Sequence, residues 1–473
     1  MNYLPVFLDL HLKTVLVIGA GEVAFNKITL LLRSKAKVNV IAKKLCSGVK
    51  ILFNEKKIYW LSREFNEIYL KNVYLVVSAT NDLQLNKYIF QLCIKHSLLV
   101  NVVDDKSKCS FIFPSIIDRS PIIISISSGG FAPVLLRLLR EKIESMLPMK
   151  LGNVAKIAGE WREKIKQRFH TLLERRRFWE KLFKSIFVEH VLNENYEKAI
   201  NILKKMMKKD ILLRGEIILV GAGPGDSGLL TLRGFQILQQ ADVVLYDALV
   251  SADVLDLIRR DAKRIYVGKR VGLKSIKQDK IIKLLIFLAR QGKKVVRLKG
   301  GDSFIFGRGA EEIEAAKKYG IDFQVVPGIT SAIGVSAYTG IPLTHRKYSH
   351  GVILITGQKC GNIFSQNCSV LADSSYTLVV YMGMFNATDI AKKLMQCGRA
   401  ASTPVAIVEK GTTVNQKVII GCLEDIEKII KFSITPSLFI IGEVVRFHKT
   451  LKWFQTSKTF TYVRNTSSIV KVI

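Results

Sequence analysis

Three glycine-containing loops follow predicted strands in the second half of the chain. Residues 300–309 (GGDSFIFGRG) follow the apolar stretch 295–298 and precede a helix that begins near Ala310. Residues 220–226 (VGAGPGD) and 326–330 (VPGIT) end two further strands. Open α/β sheets bind ligands at the carboxyl ends of their strands, where glycine lets the backbone approach closely. A simple turn explains one such loop, but three together predict a ligand site at a sheet edge.

A further glycine loop lies near the N-terminus. Residues 19–24 (GAGEVA) stand between the predicted strand 14–18 and a helical pattern that extends to about Arg33, and strand 37–41 follows. This order is typical of the βαβ unit of dinucleotide-binding folds, in which the helix N-terminus faces a pyrophosphate. No Asp or Glu ends the second strand, where residues 41–44 read IAKK. The choice between NAD and NADP therefore stays open.

Two adjacent carboxylates follow a later strand of the same half. The predicted strands 74–78 and 98–103 continue the sheet, and the second one delivers Asp104 and Asp105 to its carboxyl edge. Carboxylates at this position suit proton transfer. A solvated loop with a helix cap is an equally open interpretation. The loop SSGG (residues 127–130) then separates the strand 122–126 from a helix opened by Pro133.

Length and composition set limits on the class of protein. A chain of 473 residues is too long for one core and predicts two or three domains. With 49% hydrophobic and 23% charged residues it is typical of globular proteins. No apolar run reaches about eighteen residues and no signal-peptide pattern opens the chain, so we expect a cytoplasmic protein without a membrane partner. The cysteines are odd in number and form no C-x-x-C pair, which favours free thiols. They are Cys46, Cys93, Cys109, Cys360, Cys368, Cys397 and Cys422.

The chain is strongly basic. Its 72 Lys and Arg against 39 Asp and Glu give a formal charge of +33, which indicates nucleic acid, an anionic surface or a polyanionic small substrate. The positive residues are spread along the chain, and no nucleic-acid-binding motif is present. A general compositional bias explains part of the excess. We therefore expect no nucleic-acid partner.

The motifs of both halves together resemble the siroheme synthase family, a fusion of a precorrin-2 dehydrogenase and sirohydrochlorin ferrochelatase with a uroporphyrinogen-III C-methyltransferase. The resemblance extends from Leu4 to Phe454. Only the residues after Trp453 lie largely outside it, and we expect them to be an unstructured or loosely attached tail. The motifs are NVVD (101–104), PSIIDRSP, SSGG, ERRRFWEK, GEIILVGAGPGD, VGKR, GGDSFIFGRG, VPGIT, GIPLTHR, YMGM and VEKGT.

The resemblance implies an α/β fold with several domains. The expected parts are an N-terminal Rossmann-like NAD-binding domain with a dimerisation and helical extension, then a two-lobed α/β tetrapyrrole methylase domain. A homodimer is implied. The expected bounds are 1–113 for NAD binding, 114–148 for dimerisation, 149–210 for a basic helical region and linker, 215–457 for the methylase and 458–473 for the tail.

The resemblance also implies residue roles in the methylase half. Asp247, which ends the predicted strand 243–246, matches the family's proton acceptor, and Lys269 matches its proton donor. The residues that match S-adenosylmethionine contacts lie in several loops. They are Pro224, Gly300, Gly301, Asp302, Ile305, Thr330, Ser331, Met382 and Gly411.

In the N-terminal half, the resemblance places NAD contacts on Glu22, Val23, Lys43 and Lys44. Asp104 matches the residue that serves both dehydrogenation and chelation, with Fe(II) as a substrate.

A tetrapyrrole substrate with several carboxylates would account for part of the positive net charge, because Arg and Lys bind carboxylates by charge-assisted hydrogen bonds. Ser128 matches a serine that carries phosphate in the family, and a phosphate there would repel such a substrate. The candidate carboxylate-binding residues are Arg119, Arg137, Arg140, Lys269 and Arg270.

Two residues depart from the family pattern. Ser303 stands where the family has proline in GGDPFIFGRG, which removes a fixed φ angle from the loop. Ser331 replaces the alanine of a Thr-Ala pair. The histidines are scattered along the chain, so we expect no preformed histidine site for iron.

Two other functions are compatible with parts of the sequence. In the first, only the methyltransferase works and the N-terminal half is an NAD-responsive binding or dimerisation module. The intact Asp104 and the SSGG loop argue against it. In the second, the chain is a basic scaffold for nucleic acid, which the unbroken tetrapyrrole motifs disfavour.

Overall fold

The computed structural model describes residues 3–208, 215–268, 277–357, 368–455, 458–463 and 468–472. The chain divides into two compact units, Met1–Ile211 and Leu212–Ile473. Each unit contains its own sheets and its own hydrophobic cores.

A parallel sheet of five strands forms the first part of unit one. Its strands are β1 (Thr14–Ile18), β2 (Lys37–Ile41), β3 (Ile58–Ser62), β4 (Leu75–Ser78) and β5 (Leu99–Val102), and its helices are α1 (Glu22–Arg33), α2 (Ser47–Asn54) and α3 (Leu83–Lys95). The order is β3-β2-β1-β4-β5. All of β4 and most of β1 are buried, as is typical of strands covered on both faces. The strand order reverses beside β1, which creates the crevice where such sheets bind ligands.

A hairpin and a helical segment complete unit one. They are β6 (Ser115–Arg119), β7 (Ile122–Ile126), α4 (Pro133–Met146), α5 (Leu151–Arg168), α6 (Leu172–Phe183), α7 (Phe187–Leu192) and α8 (Tyr196–Lys208). Residues from α5 to α8 share a core that includes Phe178, Leu182 and Phe187. Helix α4 contains no buried residue.

The first lobe of unit two is a second five-stranded parallel sheet. It consists of β8 (Glu216–Gly221), β9 (Val243–Tyr246), β10 (Lys263–Tyr266), β11 (Lys294–Lys299) and β12 (Asp322–Val326), with α9 (Leu232–Leu238), α10 (Ala252–Asp256), α11 (Gln278–Arg290) and α12 (Gly309–Lys318). Its order is β10-β9-β11-β8-β12. Helix α13 (Ser331–Thr339) follows β12 and packs in the core of the second lobe.

The second lobe of unit two is built on a mixed seven-stranded sheet with the order β13-β14-β17-β15-β16-β18-β19. The strands are β13 (Gly351–Thr356), β14 (Tyr376–Tyr381), β15 (Pro404–Glu409), β16 (Lys417–Cys422), β17 (Ser437–Ile441), β18 (Lys458–Val463) and β19 (Ser468–Val472). The helices are α14 (Cys368–Ala372), α15 (Ala387–Gln396), α16 (Ile426–Ile429) and α17 (His448–Leu451).

The expectation of an unstructured tail is wrong for the tail residues that the structure describes. Strand β18 pairs in parallel with β16, and β19 pairs with β18. The edge of β16 offers unpaired backbone groups that an additional strand satisfies. The buried ring of His448 bridges Thr339 and Thr459, which ties β18 to the end of α13.

The expectation that all cysteines are free thiols is also wrong. Cys368 and Cys397 form a disulfide, with their Cα atoms 5.1 Å apart. The pairing depends on the packing of α14 against α15, which the parity and spacing of cysteines do not reveal. Cys360 lies outside the described residues.

Candidate active sites

The three glycine loops of the first lobe of unit two converge. Gly223 and Gly301 exchange two backbone hydrogen bonds, of 3.2 and 2.7 Å. A Cβ atom on Gly221 would lie 2.5 Å from the backbone of Gly328, and one on Gly328 would lie 2.4 Å from the carbonyl oxygen of Gly301. The loops after β8, β11 and β12 therefore approach too closely for any side chain. This confirms the prediction that the three loops meet at one sheet edge.

Polar side chains fix the converged loops. Asp302 accepts hydrogen bonds from the backbone N–H groups of Phe304 (2.8 Å) and Gly328 (2.9 Å). The hydroxyls of Thr330 and Tyr381 are hydrogen-bonded at 2.7 Å, which links the loop before α13 to the end of β14. Burial raises the pKa of Tyr381, so its hydroxyl stays protonated at neutral pH. These hydrogen bonds hold the loops in one arrangement.

The residues expected to contact S-adenosylmethionine surround α13. Pro224 lies against Gly334 of this helix, and Gly411 lies against Val335. Gly301 lies beside Ser331 at its first turn. Met382 directly follows Tyr381, whose ring lies 5.0 Å from the ring of Phe306, the neighbour of Ile305. The structure therefore brings Pro224, Gly301 and Gly411 of the predicted set against α13, and places neighbours of Ile305 and Met382 in contact.

Non-glycine residues in the left-handed region cluster in these loops. Phe306, Arg308, Met382, Lys410 and Thr412 have φ between 45° and 65°. Such backbone conformations cost free energy for side chains with a Cβ, and they concentrate at ligand sites. Their presence in the loops of both lobes supports a ligand site at this position.

Asp247 stands directly after β9, beside the glycine loop of β11. Its Oδ2 atom accepts a hydrogen bond from Arg297 Nη2 at 3.2 Å, and its Oδ1 atom lies 3.4 Å from the N–H group of Gly300. Burial and Arg297 lower the pKa of the nearby Lys299 ammonium, while Glu312 opposes that shift. Sequence reasoning missed Arg297, whose burial within a strand gives no local signal. Lys269 and Arg270 lie outside the described residues.

In unit one, the loop between β1 and α1 has the features of a phosphate site. Gly19 has φ +103°, and a Cβ there would lie 2.2 Å from the carbonyl oxygen of Ala79. Gly21 has open space where its Cβ would stand, so the backbone at the start of α1 is accessible to a ligand. Glu22 and Val23 form the first turn of this helix.

Lys43 and Lys44 are exposed directly after β2, the neighbour of β1 in the sheet. They therefore lie on the same carboxyl edge as the glycine loop, where the sequence predicted them.

Asp104 and Asp105 have different environments. Asp105 caps the turn that follows it, accepting hydrogen bonds from the backbone and hydroxyl of Ser107 and from Lys108. The bond from Lys108 is the main cause that lowers the pKa of this carboxyl. Asp104 is exposed, has φ +63°, and has no hydrogen bond or ion pair with the described residues. Of these two carboxylates, only Asp104 therefore has no hydrogen-bond partner within the described residues.

Lys27 is a residue that sequence reasoning missed. Burial lowers the pKa of its ammonium, and the nearby Asp104 carboxylate opposes that shift. Its Nζ atom lies 4.3 Å from the centre of the Phe113 ring. Lys27 stands four residues after Val23 in α1 and so lies on the same helix face, a spacing that could have identified it. It adds a cation to the Asp104 site.

The loop of residues 127–131 lies close to the Asp104 segment. Ser128 Oγ accepts a hydrogen bond from the N–H group of Ala132 at 3.0 Å, just before α4. Lys106 lies over the ring of Phe131, with Nζ 3.8 Å from its centre, and a Cβ on Gly130 would touch Lys106. A phosphate on Ser128 would therefore stand beside the carboxylate site.

The candidate carboxylate-binding residues of unit one differ in their exposure and in their ion pairs. Arg119 is only 8% exposed, and its guanidinium lies 3.5 Å from Glu144, so its selection as a substrate contact was wrong. The hairpin packs against α4 and buries this side chain, which the motif alone did not indicate. Arg140 also pairs with Glu144, at 3.2 Å. Arg137 is exposed.

Within the part of the chain that the structure describes, no group of three or more His, Cys, Asp and Glu side chains is arranged to hold a metal ion. No described helix is both long and apolar enough to cross a membrane.

Three families match successive parts of the chain. Putative NAD(P)-binding matches residues 6–115, the sirohaem synthase dimerisation region matches 150–207, and tetrapyrrole (corrin/porphyrin) methylases match 216–427.

Similar proteins cover the whole chain. Siroheme synthase of Buchnera aphidicola subsp. Acyrthosiphon pisum is 70% identical over 473 residues and covers 100% of both chains. Siroheme synthase 1 of Pectobacterium atrosepticum is 52% identical over 467 residues, 97% of each chain. Among solved structures, the native form of uroporphyrin III C-methyl transferase from Thermus thermophilus is 40% identical, covers 49% of this chain and 99% of that chain, and has a TM-score of 0.43.

Proposed function

Because the chain belongs to the siroheme synthase family, we propose that it converts uroporphyrinogen III to siroheme through three activities. These are S-adenosylmethionine-dependent methylation to precorrin-2, NAD-dependent oxidation to sirohydrochlorin, and insertion of Fe(II). The observation that carries the proposal is that each unit has a glycine loop and a carboxylate at the carboxyl edge of a parallel sheet, which makes two candidate ligand sites in one chain. Asp104 marks the first site and Asp247 the second.

Methylation belongs to unit two. S-adenosylmethionine supplies the methyl group when it is bound, and the contacts between Gly221, Gly301 and Gly328 leave a cradle free of side chains for it. The proposed cofactor contacts are the set around α13 described above. Asp247 takes the proton that the methylated macrocycle must lose, and Lys269 is its proposed partner as proton donor. The contacts from Arg297 and Gly300 hold the Asp247 carboxylate ready for that step.

Oxidation belongs to unit one. NAD supplies the hydride acceptor when it is bound, and the open backbone at Gly21 fits its pyrophosphate. Glu22, Val23, Lys43 and Lys44 are the proposed contacts on this edge of the sheet. Asp104 takes the proton that precorrin-2 loses together with the hydride. Its lack of a partner among the described side chains leaves the carboxylate available for this step.

Chelation uses the same carboxylate. Inserting Fe(II), a substrate of the reaction, displaces two protons from the pyrrole N–H groups, and Asp104 is the proposed acceptor, which takes one proton at a time and passes it to water. The Lys27 ammonium and the exposed Arg137 supply positive charge for substrate carboxylates on unit one. Phosphorylation of Ser128 would add about two negative charges beside this site and so weaken substrate binding.

A homodimer is the proposed assembly. The match to a sirohaem synthase dimerisation region supports it, and α4 just before that region presents an apolar face. Val134, Leu135 and Leu138 of this helix are each more than half exposed. Such a face is typical of a protein interface. The domain bounds expected from the sequence remain part of the proposal, with 114–148 for dimerisation and 149–210 for a basic helical region and linker. The family match at 150–207 supports adding that helical region to the dimer.

A cytoplasmic location also remains a proposal. The Cys368–Cys397 disulfide bears on it, because disulfides persist mainly in oxidising compartments. Cell fractionation followed by thiol labelling tests the location and the redox state of this pair together.

The experiment that tests the function is an anaerobic incubation followed by absorption spectroscopy. With uroporphyrinogen III and S-adenosylmethionine alone, the spectrum should stop at precorrin-2. Addition of NAD should give sirohydrochlorin, and addition of Fe(II) should then give siroheme. Arrest at precorrin-2 with every component present would contradict the proposal and favour a methyltransferase with an inactive N-terminal half.

A further inference from the structure

Four charged side chains form a buried network that ends at Asp247. The side chains of Arg297, Lys299 and Glu312 are 4%, 5% and 0% exposed, whereas that of Asp247 is 24% exposed. Only Asp247 therefore reaches the surface where a substrate binds. The network contains two cations and two carboxylates, so its formal charges balance.

Arg297 is held on every side. Its Nη2 atom donates to Asp247 Oδ2 at 3.2 Å, and its Nε atom donates to Glu312 Oε1 at 3.2 Å. Its Nη1 atom donates to the carbonyl oxygens of Leu245 (3.3 Å) and Leu298 (3.1 Å). A guanidinium is planar, with its donors in fixed directions. With acceptors in all these directions, the group cannot turn away from Asp247 without losing several hydrogen bonds.

Glu312 is the anchor of Arg297. Lys299 Nζ donates to both of its carboxylate oxygens, at 3.1 and 3.2 Å, and Gln278 Nε2 donates to Oε1 at 3.0 Å. These donors come from β11 and α11, while Glu312 itself lies on α12. The position of Arg297 is therefore fixed by the packing of three elements of the lobe.

We propose that Arg297, held by Glu312, is a positioning residue that orients the Asp247 carboxylate for proton transfer. The proposal rests on the proposed function of Asp247 as the proton acceptor of methylation. Arg297 fixes Oδ2 and the N–H group of Gly300 reaches Oδ1, so both oxygens have a defined direction. Proton transfer requires such alignment. Arg297 is too deeply buried to touch the substrate, so it acts only through Asp247.

The first test is Arg297→Lys in the full-length protein. A lysine keeps the charge, but its single ammonium cannot bridge Asp247 and Glu312 as the guanidinium does. We expect kcat for methylation to fall by about 10- to 100-fold. The Kd for S-adenosylmethionine from calorimetry and the KM for uroporphyrinogen III should stay unchanged, because neither depends on Asp247 alignment.

Arg399→Lys is the matched control. Arg399 is 2% exposed and donates to the carbonyl oxygens of Leu371, Asp373 and Tyr376 in the second lobe, away from Asp247. Both variants lose a buried guanidinium, so both should lower the melting temperature, but only Arg297→Lys should lower kcat. An unchanged kcat in Arg297→Lys would overturn the proposal.

The second test repeats Arg297→Lys in an Asp247→Asn background. If Arg297 acts through Asp247, the second substitution should lower kcat by less than about 2-fold further. If the loss of kcat in the double variant equals the product of the losses in the two single variants, the positioning role would be overturned. If Asp247→Asn alone keeps the normal rate, the proton-acceptor assignment fails as well. If Asp247→Asn is impaired and Arg297→Lys is not, only the positioning proposal fails.

Glu312→Gln covers the case in which Arg297→Lys does not fold. The amide has the same shape but lacks the charge that holds Arg297 and Lys299. Glu312→Gln should give the same fall in kcat, with Kd and KM unchanged. In the Asp247→Asn background, it should lower kcat by less than about 2-fold further. A normal kcat in folded Glu312→Gln would overturn the proposal.

Discussion

At the scale of residues, neighbouring side chains of the same type have different tasks. Asp105 is occupied by Ser107 and Lys108 as the cap of a turn, while Asp104 stands exposed at positive φ near Lys27. The sequence left both interpretations open for this pair. The structure assigns the cap to Asp105 and leaves Asp104 available for chemistry.

Asp104→Asn should separate the activities. The amide keeps the shape but cannot take a proton at neutral pH. NAD-dependent oxidation of precorrin-2 and iron insertion into supplied sirohydrochlorin should both fall by about 10² or more. Methylation should be unchanged, because Asp247 lies in the other unit. Stopped assays of each step, with each substrate supplied separately, measure this.

Asp105→Asn is the control for that substitution. It removes the charge that holds Lys108 but leaves Asp104 in place, so its effect on both reactions should be far smaller. An Asp104→Asn variant that folds, binds NAD and oxidises precorrin-2 at the normal rate would show that another group carries the proton.

Ser303 occupies the position at which the family has proline in the glycine loop of residues 300–309. Its side chain is fully buried, and its hydroxyl has no hydrogen-bond partner among the described residues. We expect Ser303→Pro to tighten S-adenosylmethionine binding by up to about 1 kcal/mol, because the proline ring fixes φ and so reduces the conformational entropy that the chain loses when this segment is ordered. Ser303→Ala is the matched control, since it removes the hydroxyl without restricting φ. Calorimetry that shows equal or weaker binding for the proline variant would mean that the backbone has adapted to serine.

At the scale of elements, α13 joins the loops of the proposed methylation site. Pro224 packs against its Gly334, and Gly411 packs against its Val335. The hydroxyl of Tyr338 donates to Asp226 Oδ2 at 2.6 Å, an interaction that raises the pKa of Tyr338 to about 12. The loop after β8 and the loop after β15 therefore use the same helix as their support.

Gly334→Ala should weaken S-adenosylmethionine binding about 10-fold, because its Cβ would stand 2.4 Å from Pro224 Cγ and displace a rigid ring. The control is Gly159→Ala in α5, where a Cβ would meet nothing within 4 Å. That change should leave the affinity unaltered and stabilise the helix by about 0.5–1 kcal/mol. Titration calorimetry and thermal unfolding of both variants measure these effects. Unchanged affinity in Gly334→Ala would show that the loop tolerates the shift.

At the scale of the whole molecule, the two units have separate cores. The clusters around β1 to β5 and around α5 to α8 contain residues of unit one alone. The clusters of the two sheets of unit two contain residues of that unit alone. Since hydrophobic burial dominates folding free energy, each unit has what it needs to fold by itself.

A fragment of residues 211–473 should therefore fold and convert uroporphyrinogen III to precorrin-2 without NAD. Its methylation rate should match that of the full chain within a few-fold, as roughly expected for independent domains. Circular dichroism and the methylation assay test folding and activity separately. A folded fragment that fails to methylate, while the full chain succeeds, would contradict the separability of the two units.

The local elements and the loops at strand ends could be predicted from the amino-acid sequence. The predicted strands 14–18, 37–41 and 243–246 agree with the structure at both ends, and the helix after GGDSFIFGRG begins one residue earlier than predicted. These features depend on neighbours within a few residues, such as apolar alternation, a glycine or a proline, and so can be read along the chain. The family motifs added the residues of both sites.

The tertiary structure alone decided which groups meet. Arg297 and Asp247 are separated by 50 residues along the chain, and sheet order β9-β11 brings them to hydrogen-bond distance. Packing between distant segments also places Lys27 near Asp104 and pairs Arg119 with Glu144. It likewise brings Cys368 and Cys397 into a disulfide and adds the tail to the edge of a sheet. Such contacts depend on how elements stack to bury apolar surface. Apart from the helical spacing of Lys27, no local pattern encodes these contacts, because each partner alone has an ordinary sequence environment.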